Sequence, residues 1–133
     1  MKNYDDFIYE WITSGQIYKK RAAFTLMASS VVHDKKLSND TLEVYLKLIY
    51  ENSNDEREHV KKAVSWALRE IGKKDFEYNE KALLLAHTLK DEGGKAQAWI
   101  AKDAIKELEN LVKVEGRSRL ISADSKMGRE ERE

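Results

Sequence analysis

The chain has 133 residues, 41% of them apolar, with 24 basic side chains balanced by 24 acidic ones, no cysteine, no proline and six glycines. That length and apolar content suffice for one packed domain. The lack of cysteine excludes disulfides, thiolate catalysis and cysteine-bound zinc, the scarcity of breakers excludes a fold of many tight β-turns, and zero net charge means that any polyanion-binding surface must gather its cations on one face.

Apolar residues recur at helical spacing nearly throughout, and Ala, Leu, Lys and Glu, all good helix formers, dominate. The opening MKNYDDFIYEW has acids where a secretory signal needs a basic start and an apolar run. No apolar stretch reaches the ~20 residues of a membrane span. The expectation is a cytoplasmic protein with no membrane contact. Helices are predicted at about 4–13, 16–33, 39–52, 55–73, 78–91 and 94–113. Ser14-Gly15 separates the first two, Ser38-Asn39-Asp40 caps the third, and Asn54-Asp55 caps the fourth, with Glu56 near its N-terminus. Gly72 with Lys73-Lys74 ends the fourth, and Gly93-Gly94 breaks the chain before the last long helix. Residues 1–115 are therefore expected to form one helical domain. The remainder, 116–133, has few large apolar residues and dense mixed charge. It is expected to be a flexible tail, or at most a short exposed helix.

A repeat is visible. Tyr18-Lys19-Lys20-Arg21-Ala22-Ala23-Phe24-Thr25-Leu26 lines up with Val60-Lys61-Lys62-Ala63-Val64-Ser65-Trp66-Ala67-Leu68, an offset of about 42 residues, inside the range of HEAT and armadillo units. A looser third copy runs from Ile100 to Leu108. Each long repeat helix follows another helix, so the unit is a helix pair. One pair cannot bury its apolar face alone, whereas stacked pairs can. The fold class expected is all-α, a HEAT-like solenoid of about three stacked antiparallel helix pairs.

Two residues break the pattern of their helices. On a wheel, Val60, Val64, Ala67, Leu68 and Ile71 form one apolar stripe, while Trp66 falls far from it among His59, Lys62, Arg69, Glu70 and Lys73. Such a tryptophan either packs against the next repeat under lysine stems or lies on a ligand face, where cations neutralise phosphates and the ring packs on a sugar or base. Arg21 lies in a helix that reads as apolar on nearly every face, hence buried. It needs a carboxylate such as Glu51, Asp55 or Glu70, or else an anion such as phosphate. His33, His59 and His87 have no metal-ligand spacing and read as structural or surface residues. The acidic doublets Asp5-Asp6, Asp55-Glu56 and Glu130-Glu131 read as surface or cap residues. No phosphate loop or nucleophile motif is present, and no metal or cofactor is expected.

The run Val60 to Lys74, VKKAVSWALREIGKK, closely resembles the signature of DNA alkylation repair enzymes of the AlkD type. Asp55-Glu56-Arg57 fits the same pattern. Glu10 to Phe24 resembles the preceding repeat of that family, and Ala98 to Ala104 the following one. The likeness covers about residues 8–110. It implies a solenoid whose concave, basic face holds duplex DNA carrying alkylated purines, and an activity that removes N-alkylated purines through an oxocarbenium-like state. It places Arg21 at the family's active-site arginine, on backbone phosphate, and Trp66 at its active-site tryptophan, on the deoxyribose. Lys20, Lys62, Arg69 and Lys73 are the accompanying DNA-binding candidates. Tyr18 stands where a tryptophan is common. The family's catalytic aspartate lies upstream of the arginine, in a region that should precede Tyr4, and Asp5 and Asp6 do not match it. The chain is therefore expected to correspond to the C-terminal half, with glycosylase activity not expected from it alone, and to act as a homodimer or with the absent N-terminal half. Two alternatives stand beside this: an active enzyme with a rearranged site, and a non-enzymatic helical adaptor that binds protein.

Overall fold

In the computed structural model, which describes residues 4–132, seven helices occur among the described residues: α1 (Tyr4–Trp11), α2 (Ile17–His33), α3 (Asn39–Glu51), α4 (Glu58–Gly72), α5 (Phe76–Glu92), α6 (Lys95–Leu108) and α7 (Lys126–Arg132). Local chemistry sets their ends. Ser38 Oγ accepts the Thr41 N–H at 3.1 Å and starts α3. The Asp75 carboxylate accepts the Tyr78 N–H at 2.9 Å, so α5 begins earlier than expected. Gly93, at φ 74°, closes α5 in the left-handed region. Conversely, α4 begins later than expected because Asp55 does not cap it. The Asp55 carboxylate accepts the Arg57 N–H at 3.1 Å in a local turn and is held by the Arg57 and Lys20 side chains.

The helices pair as α1–α2, α3–α4 and α5–α6. Helices α2, α4 and α6 pack side by side with α4 in the middle. Helices α1, α3 and α5 form the second layer, where Tyr45 Oη donates to Asp5 at 2.5 Å between α3 and α1, and α3 packs on α5. Phe24, Met27, Leu42, Tyr45, Ile49, Val64, Leu68, Ile71, Tyr78, Leu89, Ile100 and Leu108 fill the space between the layers. The architecture is an all-α helical repeat, as expected. No helix among the described residues is long and apolar enough to cross a membrane.

Burial corrects the repeat register. Ala23, Phe24, Met27, Ala28 and Val31 are buried, and so are Ala63, Val64, Ala67, Leu68 and Ile71, each 40 residues further on. Under the offset of about 42 read from residue identity, exposed Tyr18 would match buried Val60, and buried Phe24 would match half-exposed Trp66. Identity follows the lysine pairs, whereas packing follows the apolar stripe. A third copy follows 37 residues on, where Ile100, Ala101, Ala104 and Leu108 take the places of Ala63, Val64, Ala67 and Ile71.

The boundary expected after residue 115 falls inside a folded unit. Strand β1 (Leu111–Val112) pairs antiparallel with β2 (Ile121–Ser122), Leu111 opposite Ser122 and Val112 opposite Ile121. Helix α6 consequently stops at Leu108 rather than near 113. Val114, Leu120 and Ala123 are buried, and the Leu120 N–H donates to the Lys73 carbonyl at 2.8 Å. The segment expected to be a flexible tail is held by these few apolar side chains and by Arg119, rather than by bulk hydrophobicity.

Candidate nucleic-acid interface

Helix α4 touches α2, α3, α5 and α6, which leaves one narrow arc open to solvent. His59, Lys62 and Trp66 occupy that arc. Trp66 is 39% exposed, although it is the largest side chain of a helix whose other apolar residues are 5% exposed or less. Its surroundings are therefore neither a core pocket nor a full lysine cover.

The corrected register gives Arg21 and Trp66 different repeat positions. In that register Arg21 takes the position of Lys61, and Leu26 that of Trp66. Lys61 Nζ lies 4.6 Å from the centre of the Trp99 ring on the neighbouring α6, so this position points along the layer toward the next helix. Arg21 is exposed on α2, the helix that packs on α4. The reading of α2 as buried on nearly every face is not met: Tyr18 is 73% exposed and Arg21 is exposed. The carboxylates suggested for Arg21 have other partners. Asp55 binds Lys20 and Arg57, Glu70 binds Lys73 and Arg119, and Glu51 lies 4.0 Å from Lys47. Among the described residues the Arg21 side chain makes no hydrogen bond or ion pair.

The other cations singled out from sequence are engaged within the chain. Lys20 meets Asp55 at 2.9 Å, and Lys62 meets Glu58 at 3.1 Å. Arg69 meets Glu107 at 2.9 Å and Asp103 at 3.5 Å, while Lys73 meets Glu70 at 2.8 Å and Glu107 at 2.9 Å. Hydrogen bonding from Arg57, with a further bond from Lys20, outweighs burial and holds the Asp55 carboxyl well below the ordinary carboxylate range. Burial pushes the Glu107 carboxyl up, but hydrogen bonds from Arg69 and Lys73 more than offset it and leave it lowered. These carboxylates stay ionised near neutral pH and neutralise the cations beside them. The Lys62 pair is exposed at both ends, so water and salt screen it and it breaks readily. The pairs of Arg69 and Lys73 are more enclosed.

Sequence reasoning missed the acidic partners on α6. Ser65 Oγ, fully buried, donates to Asp103 at 2.7 Å, one turn before the Arg69–Glu107 contact. Ser65 and Arg69 are four residues apart, and so are Asp103 and Glu107. That matched i,i+4 spacing on two neighbouring repeat helices was a usable signal. Arg119 was likewise hidden in the supposed tail.

Trp66 shares the open arc of α4 with the loosely held Lys62, and Arg21 is an exposed guanidinium on the neighbouring α2, residue types that suit a sugar–phosphate chain. The family model described as DNA alkylation repair enzyme matches residues 1–108. No curated protein and no solved structure matches the chain. The match takes in all three helix pairs, with Arg21 and Trp66 inside it, and it stops where β1 and the C-terminal hairpin begin; the chain belongs to the DNA alkylation repair enzyme family.

Proposed function

We propose that this chain recognises duplex DNA carrying N-alkylated purines on the open side of the α2–α4–α6 layer, with Arg21 on a backbone phosphate and Trp66 against the adjoining deoxyribose. The observation that carries this reading is the 39% exposure of Trp66 on the most enclosed helix, with an exposed arginine that has no carboxylate of its own on the neighbouring α2. Family membership supports the choice of DNA as ligand. Lys62 joins when its exposed contact with Glu58 opens. Lys20, Arg69 and Lys73 act at one remove, because each must leave a carboxylate before it can meet a phosphate.

Recognition, not bond cleavage, is what these residues support. Loss of a purine from its sugar builds positive charge on the deoxyribose, and an anion aimed at that charge is what lowers the barrier. The α6 carboxylates Asp103 and Glu107 are bound by Ser65, Arg69 and Lys73. They are therefore committed to the fold. A second reading, an adaptor that binds protein, is favoured by one observation: all four accompanying cations are neutralised within the chain.

Fluorescence anisotropy with a labelled duplex separates the two readings. DNA binding predicts an affinity that falls as salt rises, with a slope in log–log form of roughly −2 for about two phosphate contacts. Arg21→Ala should weaken binding and flatten that slope by about one. Trp66→Ala should weaken it at unchanged slope. Affinity independent of salt, or an Arg21→Ala protein that binds as the parent does, would sink the proposal in favour of the adaptor.

A further inference from the structure

Helices α4 and α6 meet through three stacked polar contacts. Lys61 Nζ lies 4.6 Å from the centre of the Trp99 ring, and Ser65 Oγ donates to Asp103 at 2.7 Å. Arg69 meets Asp103 at 3.5 Å and Glu107 at 2.9 Å. The three α4 residues are spaced by four, and so are the three α6 residues. Successive contacts therefore follow one another at about 6 Å along the two helices. An aromatic ring and two carboxylates on α6 answer a lysine, a serine and an arginine on α4.

Helix α6 repeats the receiving side of α4. In the register set by burial, 37 residues on, Ala98, Lys102 and Lys106 take the places of Lys61, Ser65 and Arg69. All three are exposed, and with half-buried Ile105 and with Lys90 of α5 they line a groove of about 500 Å³. Among the described residues the side chains of Lys90, Lys102 and Lys106 make no hydrogen bond or ion pair. Asp103 and Glu107, their neighbours in sequence, are held by Ser65, Arg69 and Lys73 of α4.

We propose that this groove receives a helix of a partner protein that presents an aromatic residue and two carboxylates at four-residue intervals, the pattern with which α6 itself meets α4. Charge complementarity carries the choice. Lys102 and Lys106 are four residues apart and match two carboxylates of the same spacing. A lysine stands where α4 has Ser65, so the groove is more basic than the seat it copies. Ala98 stands where α4 has Lys61, which leaves room for a ring beside Ile105, with Lys90 at the rim to lie over it. Covering Ala98 and Ile105 rewards an apolar side chain and not a phosphate, so a helix laid in the groove fits better than a nucleic-acid backbone. The inference does not rest on the DNA reading, since neither Arg21 nor Trp66 lines the groove.

Two-dimensional NMR of the isotope-labelled full chain tests this. The probe is an alanine-based helical peptide carrying Trp, Asp and Glu at the intervals of Trp99, Asp103 and Glu107, titrated to millimolar at low salt. Amide shifts are expected at 90 and 98–106, and they should shrink as salt rises. Lys102→Glu/Lys106→Glu should weaken binding on the order of tenfold or more. A peptide with lysine at both acidic positions should bind that variant and not the parent. Circular dichroism checks the fold of the variant, and the milder Lys102→Gln/Lys106→Gln takes its place if it is unfolded. Absence of shifts in the groove overturns the proposal, as does equal binding by a peptide whose two acids are replaced by glutamine. Shifts there on adding a DNA duplex, with none from the peptide, would assign the lysines to nucleic acid and overturn it as well.

Discussion

Arg119→Ala is the sharpest probe of whether the C-terminal segment is part of the domain. The Arg119 guanidinium donates to the Glu70 carbonyl at 2.6 Å, to the Glu70 carboxylate at 3.0 Å and to the Val31 carbonyl at 3.4 Å. One side chain from the hairpin thus ties the C-terminal ends of α2 and α4. Removing one partner of a buried ion pair costs about 3–5 kcal/mol when the other is left alone. Here Glu70 keeps Lys73 at 2.8 Å, so the remaining carboxylate is not orphaned. The loss is closer to that of hydrogen bonds to a charged group, about 2–3 kcal/mol. For a chain of this size that corresponds to a fall in Tm of roughly 8–12 °C. Urea or thermal unfolding followed by circular dichroism reads the change, and limited proteolysis should show earlier cutting within 113–119. A stability unchanged within about 0.5 kcal/mol, the scatter expected of a plain surface substitution, would refute the reasoning.

Acid should destabilise the fold through Asp55. Its carboxyl is held below its unfolded value, so its stabilisation is complete above the ordinary carboxylate pKa of about 4 and is lost as pH falls through the lower folded value. Asp55→Asn should flatten the acid limb of a stability–pH curve, and an unchanged limb would assign it to other groups. Gly72→Ala should destabilise by about 1–3 kcal/mol, since its Cβ would fall 2.6 Å from the Leu108 side chain, itself buried, and 3.1 Å from Ala82. Denaturant midpoints check it. Gly128→Ala should loosen α7 from the hairpin, because a Cβ there collides with the Ser122 carbonyl oxygen; hydrogen exchange should rise in 122–132 with α1–α6 unaffected.

Much of the fold was legible because helical periodicity is local. The six long helices were readable from apolar spacing alone, and Ser38 from its cap chemistry. What failed was non-local. The repeat register was misread because Lys19-Lys20 and Lys61-Lys62 match in identity, whereas packing is decided by Phe24 and Val64. Arg21 was placed in a core because Tyr18, Ala22 and Leu26 were counted as buried, yet Tyr18 stands in solvent and the other two are only half-covered. The hairpin was missed because Val114, Leu120 and Ala123 are too few to show a period, although three well-placed apolar residues and one arginine are enough to seat it. The exposure of Trp66 was legible because it violates a pattern that the rest of α4 obeys.

The charge arrangement bears on the proposed reading of DNA as ligand. Uncompensated, Arg69 and Lys73 on α4 would repel each other beside Trp66 and attract any polyanion. Helix α6 prevents this with Glu107, which takes both cations, and Asp103, which takes Arg69 and Ser65. The same helix carries Lys102 and Lys106 on its outer side. Positive potential is thereby moved from the middle of the layer toward its last helix, while Arg21 stays free on the first. A duplex laid along the layer would meet one strong cation near α2 and a nearly neutral aromatic centre at α4. On the proposed DNA reading, that distribution makes affinity depend on few phosphates and gives the ring at Trp66 a larger share of the discrimination. Glu107→Gln tests it, because the loss of one negative charge frees part of the hold on Arg69 and Lys73. DNA affinity should then rise and its salt dependence steepen by up to about two phosphates' worth, whereas an affinity unmoved by Glu107→Gln would mean that the duplex does not pass over α4.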